Sequence, residues 1–275
     1  MVMSRSSSVA APPTSGPVGP QAAGVAGEAR RPARPRRLGS TRLAAVLAVI
    51  SALVVTASGL LYVRMVQTQW ADTVWLWLFQ RFDVAGEANV AAWWAASLWM
   101  LFAVTAVVVG LAADRRSFLW YILAAIALYA SADEASMLHE ELYRVGGKLK
   151  LHMPEGLLSY SWVAAGIIVV LFVALVMLPL LWHLPRSVVV GLVLSGAVFL
   201  LGAVVLETVG GHIEKHFGQV TWHLMLAIQI EEMLEYLGVV GAIYSITRMV
   251  RVRRGENGLR VDFLGYRGEY PRELA

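Results

Sequence analysis

Acidic residues inside long apolar segments are the part of this sequence that points most directly to chemistry. Three such segments contain carboxylates, and a carboxylate at the depth of lipid tails is costly unless it is paired. Each of these residues is therefore a candidate for a functional site. The candidates are Asp133, Glu134, Glu207, Glu231, Glu232 and Glu235.

Histidines and one further carboxylate lie near the ends of the same segments, and these residue types together suit a metal ion. Carboxylate oxygen and imidazole nitrogen bind Zn, Mn or Fe, and such sites form inside helix bundles from facing side chains. The Glu-x-x-His spacing of di-iron proteins does not occur in the sequence. The predicted metal ligands are Asp133, His139, Glu140, Glu207, His212, Glu231, Glu232 and Glu235.

A metal at this place would support one of two reactions. It would activate water for attack on an ester or amide of a lipid, with Glu134 as the general base. Alternatively, it would carry redox chemistry at a carboxylate-bridged pair. The leading hypothesis is therefore a metal-binding membrane enzyme that acts on a lipid-like substrate.

Two other hypotheses explain the same acids without a metal. Carboxyl groups packed in a low dielectric hold protons tightly, which suits a proton relay or a cation path in a transporter of small cations. The acids are otherwise hydrogen-bonded contacts between helices that stabilise the bundle. The sequence leaves open whether the protein is an enzyme.

The composition identifies the class of protein that has to position these residues. Of the 275 residues, 58% are hydrophobic and 15% are charged, whereas soluble domains carry roughly 25% charged residues. The apolar residues come in blocks of membrane-spanning length, so the lipid bilayer is the expected surroundings. The absence of cysteine excludes disulfides and thiolate metal sites. The arginine clusters of the tails indicate cytoplasmic segments rather than nucleic-acid binding.

The apolar blocks predict an all-α polytopic membrane helical bundle of about six spans. Residues 67–89 lie between the first two spans and mix tryptophans with charged residues, which favours a short interfacial helix. Gly191, Ser195, Gly196 and Gly202 give the fifth span small-residue faces for close helix packing, as do Gly238 and Gly241 in the sixth. The predicted spans are residues 43–63, 91–111, 117–139, 157–182, 188–209 and 222–247.

Charged and low-complexity tails flank this domain of residues 41–250. Residues 1–40 are rich in Ala, Pro, Gly, Ser and Arg, which predicts a disordered basic tail. Residues 251–275 are predicted to be a basic cytoplasmic tail, poorly ordered after Gly255. Arginines in the short loops lie on the side of both tails, so the positive-inside rule places both termini in the cytoplasm.

This topology gathers the acidic ends of spans three, five and six into one pocket that opens outward. With 100° per residue, Asp133 shares an arc with His139 and Glu140, whereas Glu134 and Glu141 point about 90° away. Span three therefore has two polar faces, one toward the pocket and one toward a neighbouring helix. The three glutamates of span six also share one arc.

Four patterns then recur in order along the chain and resemble those of a known group. The sequence is similar, from about Trp75 to Arg248, to a widespread group of uncharacterised bacterial multi-pass membrane proteins. The resemblance implies a shared fold with an acid-rich core, and a role for Glu87 and Asn89 as an outer lid. The predicted location is the bacterial inner membrane. The patterns are Phe82-Asp83-Val-Ala-Gly86-Glu87-Ala-Asn89, Ser131-Ala-Asp133-Glu134-Ala-Ser136-Met-Leu-His139-Glu140, Gly202-Ala-Val-Val-Leu-Glu207-Thr-Val-Gly210-Gly211 and Glu231-Glu232-Met-Leu-Glu235-Tyr-Leu-Gly238.

Overall fold

A computed structural model shows a helical bundle with a small sheet at one end. It describes residues 36–37, 41–138, 140–150, 161–218, 220–255 and 258–271. The helices are α1 Thr41–Gln67, α2 Thr73–Phe82, α3 Val90–Ala112, α4 Ser117–Ser136, α5 Tyr143–Lys150, α6 Ser161–His183, α7 Arg186–Leu200, α8 Glu207–Phe217 and α9 Trp222–Thr247. The predicted fold class, an all-α membrane helical bundle, is confirmed.

The long helices agree with the predicted spans. Five stretches among the described residues are long and apolar enough to cross a membrane: α1, α3, α4, most of α6, and the continuous stretch Arg186–Phe217. The sixth predicted span is α9, which has 26 residues and therefore a length of about 39 Å, but carries three glutamates. The helix predicted between the first two spans is α2, where the Asp72 carboxylate accepts hydrogen bonds from the amides of Val74 and Trp75.

Helix α9 is the central element of the bundle, since it packs against α1, α3, α7 and α8. Its buried residues include several small or β-branched side chains that let neighbouring helices approach, among them Ala227, Gly238, Val239, Val240 and Ile243. A helix surrounded in this way has little lipid contact. The glutamates on α9 are therefore enclosed mainly by protein.

The tightest contact joins α7 to α9 through glycines, as the sequence predicted. A Cβ atom at Gly238 would lie only 2.7 Å from Phe199 Cβ, and one at Gly241 only 2.5 Å from Ser195 Oγ. The contact continues beyond α7, where a Cβ at Gly202 would lie 2.8 Å from the carbonyl oxygen of Glu231. Contacts this close exist only because these positions lack a side chain.

The segment after α9 is ordered, and the expectation of a poorly ordered tail is wrong for its described part. Strands β1 (Arg36–Arg37), β2 (Val250–Gly255) and β3 (Gly258–Phe263) form an antiparallel sheet in that order. The pair Arg36–Arg37, which we assigned to the disordered N-terminal tail, is thus the edge strand. The rest of residues 1–40 lies outside the described residues.

Two tyrosines explain why the C-terminal segment is ordered. The buried indole Nε1–H of Trp120 donates to Tyr266 Oη at 3.1 Å, and the Tyr266 hydroxyl donates to the Arg115 carbonyl at 2.7 Å. Tyr270 donates to the Arg248 carbonyl at 3.1 Å. The segment therefore buries aromatic surface and pairs its polar atoms. The charged composition of the tail gave no indication of this.

The glycine contact gives the first prediction. Gly238→Ala places a methyl group against Phe199, so we expect it to lower the free energy of unfolding by about 1–3 kcal/mol through overpacking. Gly196→Ala is the matched control, because a Cβ there meets no atom within 4 Å. Thermal unfolding in detergent measures both variants. Equal stability of the two variants would contradict the contact.

Candidate functional site

Five glutamates from three parts of the chain converge at the end of the bundle away from the sheet, which we term the acidic end. Glu134 is in the last turn of α4, Glu207 begins α8, and the other three are on α9. We call this group the carboxyl cluster. It consists of Glu134, Glu207, Glu231, Glu232 and Glu235.

The centre of the carboxyl cluster is a direct hydrogen bond between two acids. The side chains of Glu207 and Glu231 are hydrogen-bonded to each other, and Glu231 is only 6% exposed. An ionised carboxylate only accepts hydrogen bonds, so a bond between two carboxyl groups requires a proton on one of them. A proton is therefore part of this arrangement.

The remaining members lie around this pair and are mutually close. The main electrostatic neighbours of Glu232 are the carboxyl groups of Glu134, Glu87 and Glu207. Glu235 interacts in the same way with Glu232, Glu134 and Glu207. Burial is the largest influence on the three glutamates of α9, and the charges next to them are other acids. Simultaneous ionisation would place several negative charges close together in a region of low dielectric.

Tyr236 is the hydrogen-bonding partner that the sequence analysis missed. Its phenol shares a hydrogen bond with the Glu232 carboxyl group, and its side chain is 2% exposed. Tyr236 follows Glu232 by four residues, so both lie on one face of α9. That spacing was the available signal, and it was overlooked because Tyr236 resembles any other buried aromatic residue of a span.

An irregular helix turn positions Glu207. Residues Leu201–Leu206, between α7 and α8, form a π-helical turn, a feature that inserts a residue and is frequent at functional sites. Gly202 lies within this turn, and a Cβ there would be 2.8 Å from the Glu231 carbonyl oxygen and 2.9 Å from Glu235 Cγ. The backbone of the π-helical turn thus lies directly against the glutamates of α9.

The structure brings together part of the predicted site. Glu207, Glu231, Glu232 and Glu235 meet, and the acid of α4 that acts on Glu232 and Glu235 is Glu134, the residue predicted as the general base. Asp133, half-buried beside it, accepts at its carbonyl from the amide of Met137, whose left-handed conformation ends α4.

The structure describes the predicted ligands His139, Glu140 and His212 only in part. His139 lies outside the described residues, and of Glu140 the structure describes only the backbone, at the start of the 3-10 turn Glu140–Leu142. His212 Nδ1 is 2.8 Å from the Thr208 carbonyl oxygen, and with His216 it lines a surface cavity of about 450 Å³ on α8. Among the described residues, no three His, Asp or Glu side chains are arranged to hold a metal ion. The metal site stays a prediction.

The loop before α3 has mainly a structural role. Asn89 Nδ2 donates to the carbonyls of Asp83 at 2.7 Å and Gly86 at 2.9 Å, while its Oδ1 caps α3 at the Ala92 amide. This folding of the loop leaves Glu87 exposed and within electrostatic reach of Glu232. Of the two residues that the resemblance suggested as a lid, Asn89 thus shapes the loop, and Glu87 adds a charge at the edge of the carboxyl cluster.

Comparison with known proteins agrees with the resemblance noted in the sequence. The model of a protein family described as a domain of unknown function, DUF8692, matches residues 43–249. The chain belongs to this family. The match begins near the start of α1 and ends two residues after α9, so it covers the helical bundle and stops before most of the sheet. The searches of curated proteins and of solved structures found no match.

The loop before α3 gives the second prediction. Burial raises the pKa of the Asp83 carboxyl above its usual range, so the folded protein holds this proton more tightly than the unfolded chain does. Stability contributed by the protonated form is lost as pH rises from the unfolded pKa toward the raised one. Asp83→Asn is neutral at every pH and keeps an acceptor for the Ala85 amide.

We expect Asp83→Asn to raise the apparent unfolding temperature at neutral pH, on the order of 2 °C. The difference from the wild type should vanish below about pH 3, where the acid is protonated in both states. The control is Asp114→Asn, at an exposed position in the turn between α3 and α4. An equal gain at both pH values would show that the effect is not ionisation of Asp83.

Proposed function

We propose that this membrane protein exchanges protons at the carboxyl cluster and couples that exchange to the movement of a small cation. The observation that carries the proposal is the hydrogen bond between the Glu207 and Glu231 side chains. Two carboxyl groups in this arrangement hold a proton that either group can receive. The proposal keeps the transporter hypothesis that the sequence analysis left open and takes it as the leading one.

The electrostatics of the carboxyl cluster support reversible proton binding. Loss of the shared proton would leave two negative charges in contact, close to Glu232 and Glu235 on the same helix. Such repulsion is strong where water is excluded, and it falls when either a proton or a cation enters. Groups coupled in this way titrate together rather than independently. Proton release and cation entry at one site would therefore be linked.

The packing of the π-helical turn supports a link between the charge of the carboxyl cluster and the arrangement of the helices. Gly202 lies against the backbone of Glu231 and the side chain of Glu235 without space between them. A change in the charge of these acids would alter the separation of α7 and α9 at this point. Because π-helical turns convert to α-helix by a shift of one residue, the stretch Leu201–Leu206 is suited to absorb the change.

A divalent metal is the second candidate ligand for the same group. Five oxygen-donor side chains converge, and their main electrostatic neighbours are acidic, which is the environment that Zn, Mn or Fe ions and harder cations find in proteins. In that case Glu134 would be the base of a metal-dependent reaction, as first predicted. The side chains would have to rearrange to coordinate the ion.

The proposed location in the cell is the inner membrane of a bacterium, and the distribution of arginines supports it. The arginine-rich end of the bundle, with Arg115, Arg186 and Arg248, would face the cytoplasm of a bacterium, because basic residues are retained on that side of the inner membrane. Both termini would then be cytoplasmic. The carboxyl cluster would lie nearer the opposite surface, from which cations arrive.

Proton flux gives the third prediction. Wild-type protein in proteoliposomes with an internal pH-sensitive dye should carry protons when a cation gradient is imposed. Glu231→Gln keeps the size of the side chain and its hydrogen bond to Glu207 but has no ionisable proton, so we expect flux to fall about a hundredfold. Glu141→Gln, at an exposed position outside the cluster, should behave as the wild type.

Two results would refute the proposal. The first is a folded wild type with no flux in any cation gradient, and the second is equal flux in wild type and Glu231→Gln. Plasma mass spectrometry of the same preparations, purified with metal present, distinguishes the metal-dependent enzyme from the proton-coupled transporter. A stoichiometric metal in the wild type that Glu231→Gln loses would favour the metal-dependent enzyme.

A further inference from the structure

A polar cavity lies at the arginine-rich end of the bundle, far from the carboxyl cluster. Its volume is about 370 Å³, and it lies between the start of α4, the end of α6 and the C-terminal segment. We call it the arginine pocket. Its lining includes Arg115, Arg116, Trp182, His183, Tyr266 and Arg267.

The arginine pocket carries excess positive charge. Arg115 is paired with Glu269 at 2.7 Å, and Glu269 is the acid of the lining. Three arginines against one glutamate leave two positive charges. Arg116 lies over the Tyr266 ring at 5.5 Å, and no described side chain gives the guanidinium of Arg267 a carboxylate or hydrogen-bonding partner.

Contacts that do not involve the side chains of Arg116 and Arg267 hold the pocket in place. The Arg267 amide donates to the carbonyl of His183 at 2.7 Å, which fixes the C-terminal segment to the end of α6. Tyr266 joins the same segment to α4 through Trp120. These hydrogen bonds do not use the guanidinium groups of Arg116 and Arg267, and both residues are exposed.

Aromatic residues place the pocket at the level of lipid headgroups. Trp182, in its lining, is 77% exposed, and Phe118, in the first turn of α4, is 69% exposed. Large exposed aromatic side chains near the ends of spans are typical of the membrane interface. A molecule in the pocket therefore has cations on one side and an apolar surface on the other.

We propose that the arginine pocket binds the phosphate of an anionic phospholipid headgroup. Guanidinium groups bind phosphate oxygens through paired, charge-assisted hydrogen bonds, and basic pockets between spans on the cytoplasmic side are suited to anionic headgroups. The apolar surface of Trp182 and Phe118 favours a lipid, whose acyl chains continue into the bilayer, over free phosphate. This site is independent of proton exchange at the carboxyl cluster.

Native mass spectrometry of the detergent-purified full chain tests this site. The protein is titrated with phosphatidylglycerol and, separately, with phosphatidylcholine. The double variant Arg116→Gln/Arg267→Gln should bind phosphatidylglycerol about 25-fold more weakly, since each basic residue near an anionic membrane surface is worth about fivefold. Its binding of phosphatidylcholine should be unchanged.

The control removes the same charge from the sheet. Arg253 and Arg260 both pair with Asp262 and do not line the pocket, so Arg253→Gln/Arg260→Gln should keep the wild-type affinity for phosphatidylglycerol. Should the first double variant fail to fold, Arg267→Gln and Arg267→Lys replace it. We expect only the lysine variant to retain binding, because it keeps the charge.

Three outcomes would overturn the proposal. One is wild-type affinity for phosphatidylglycerol in the folded pocket variants. Another is an equal loss in the control, which would show a general effect of net charge. The third is displacement of the lipid by inorganic phosphate at comparable concentration, which would make free phosphate the ligand.

Discussion

The close approach of α7 and α9 is the constraint on which the rest of the structure depends. Gly238 and Gly241 admit Phe199 and Ser195 at distances that no larger residue would allow, and Gly202 extends the contact into the π-helical turn. This approach brings the start of α8 against α9. Glu207 and Glu231 consequently form a hydrogen bond that needs a proton.

The carboxyl cluster is tolerable in a membrane because its members satisfy one another. An isolated buried carboxylate would cost many kcal/mol, whereas a protonated acid in a hydrogen bond costs far less. Glu231 has Glu207, and Glu232 has Tyr236. The arginines lie at the other end of the bundle, where Tyr266 and Glu269 hold the C-terminal segment over α4 and α6. The two ends thus carry opposite kinds of ionisable side chain, acidic at one end and basic at the other.

The sequence was informative wherever one segment alone determines the outcome. Apolar length predicted the helices, and acids in apolar segments predicted which helices meet at the site. Local signals for the sheet were also present: Val250 and Val252 alternate with arginines, and Asn257-Gly258 is a hairpin turn pair. The many charged residues in this region led instead to the prediction of a poorly ordered tail.

Other features depend on how several segments pack together. They could not be predicted from the pattern of each helix alone. The choice of Glu134 over Asp133 depends on how α4 is rotated against α9, and the left-handed Met137 ends the helix before the phase argument reaches His139. The π-helical turn shifts Glu207 by a residue relative to a regular helix. No periodicity in the sequence marks either effect.

Infrared spectroscopy of the carboxyl groups tests the central claim, a proton shared between Glu207 and Glu231, most directly. A protonated carboxyl group has a carbonyl stretching band that an ionised carboxylate lacks. The account predicts this band in wild-type protein at neutral pH and its reduction in Glu231→Gln, with the fold retained. Absence of the band in the folded wild type, or an unchanged band in the variant, would contradict it.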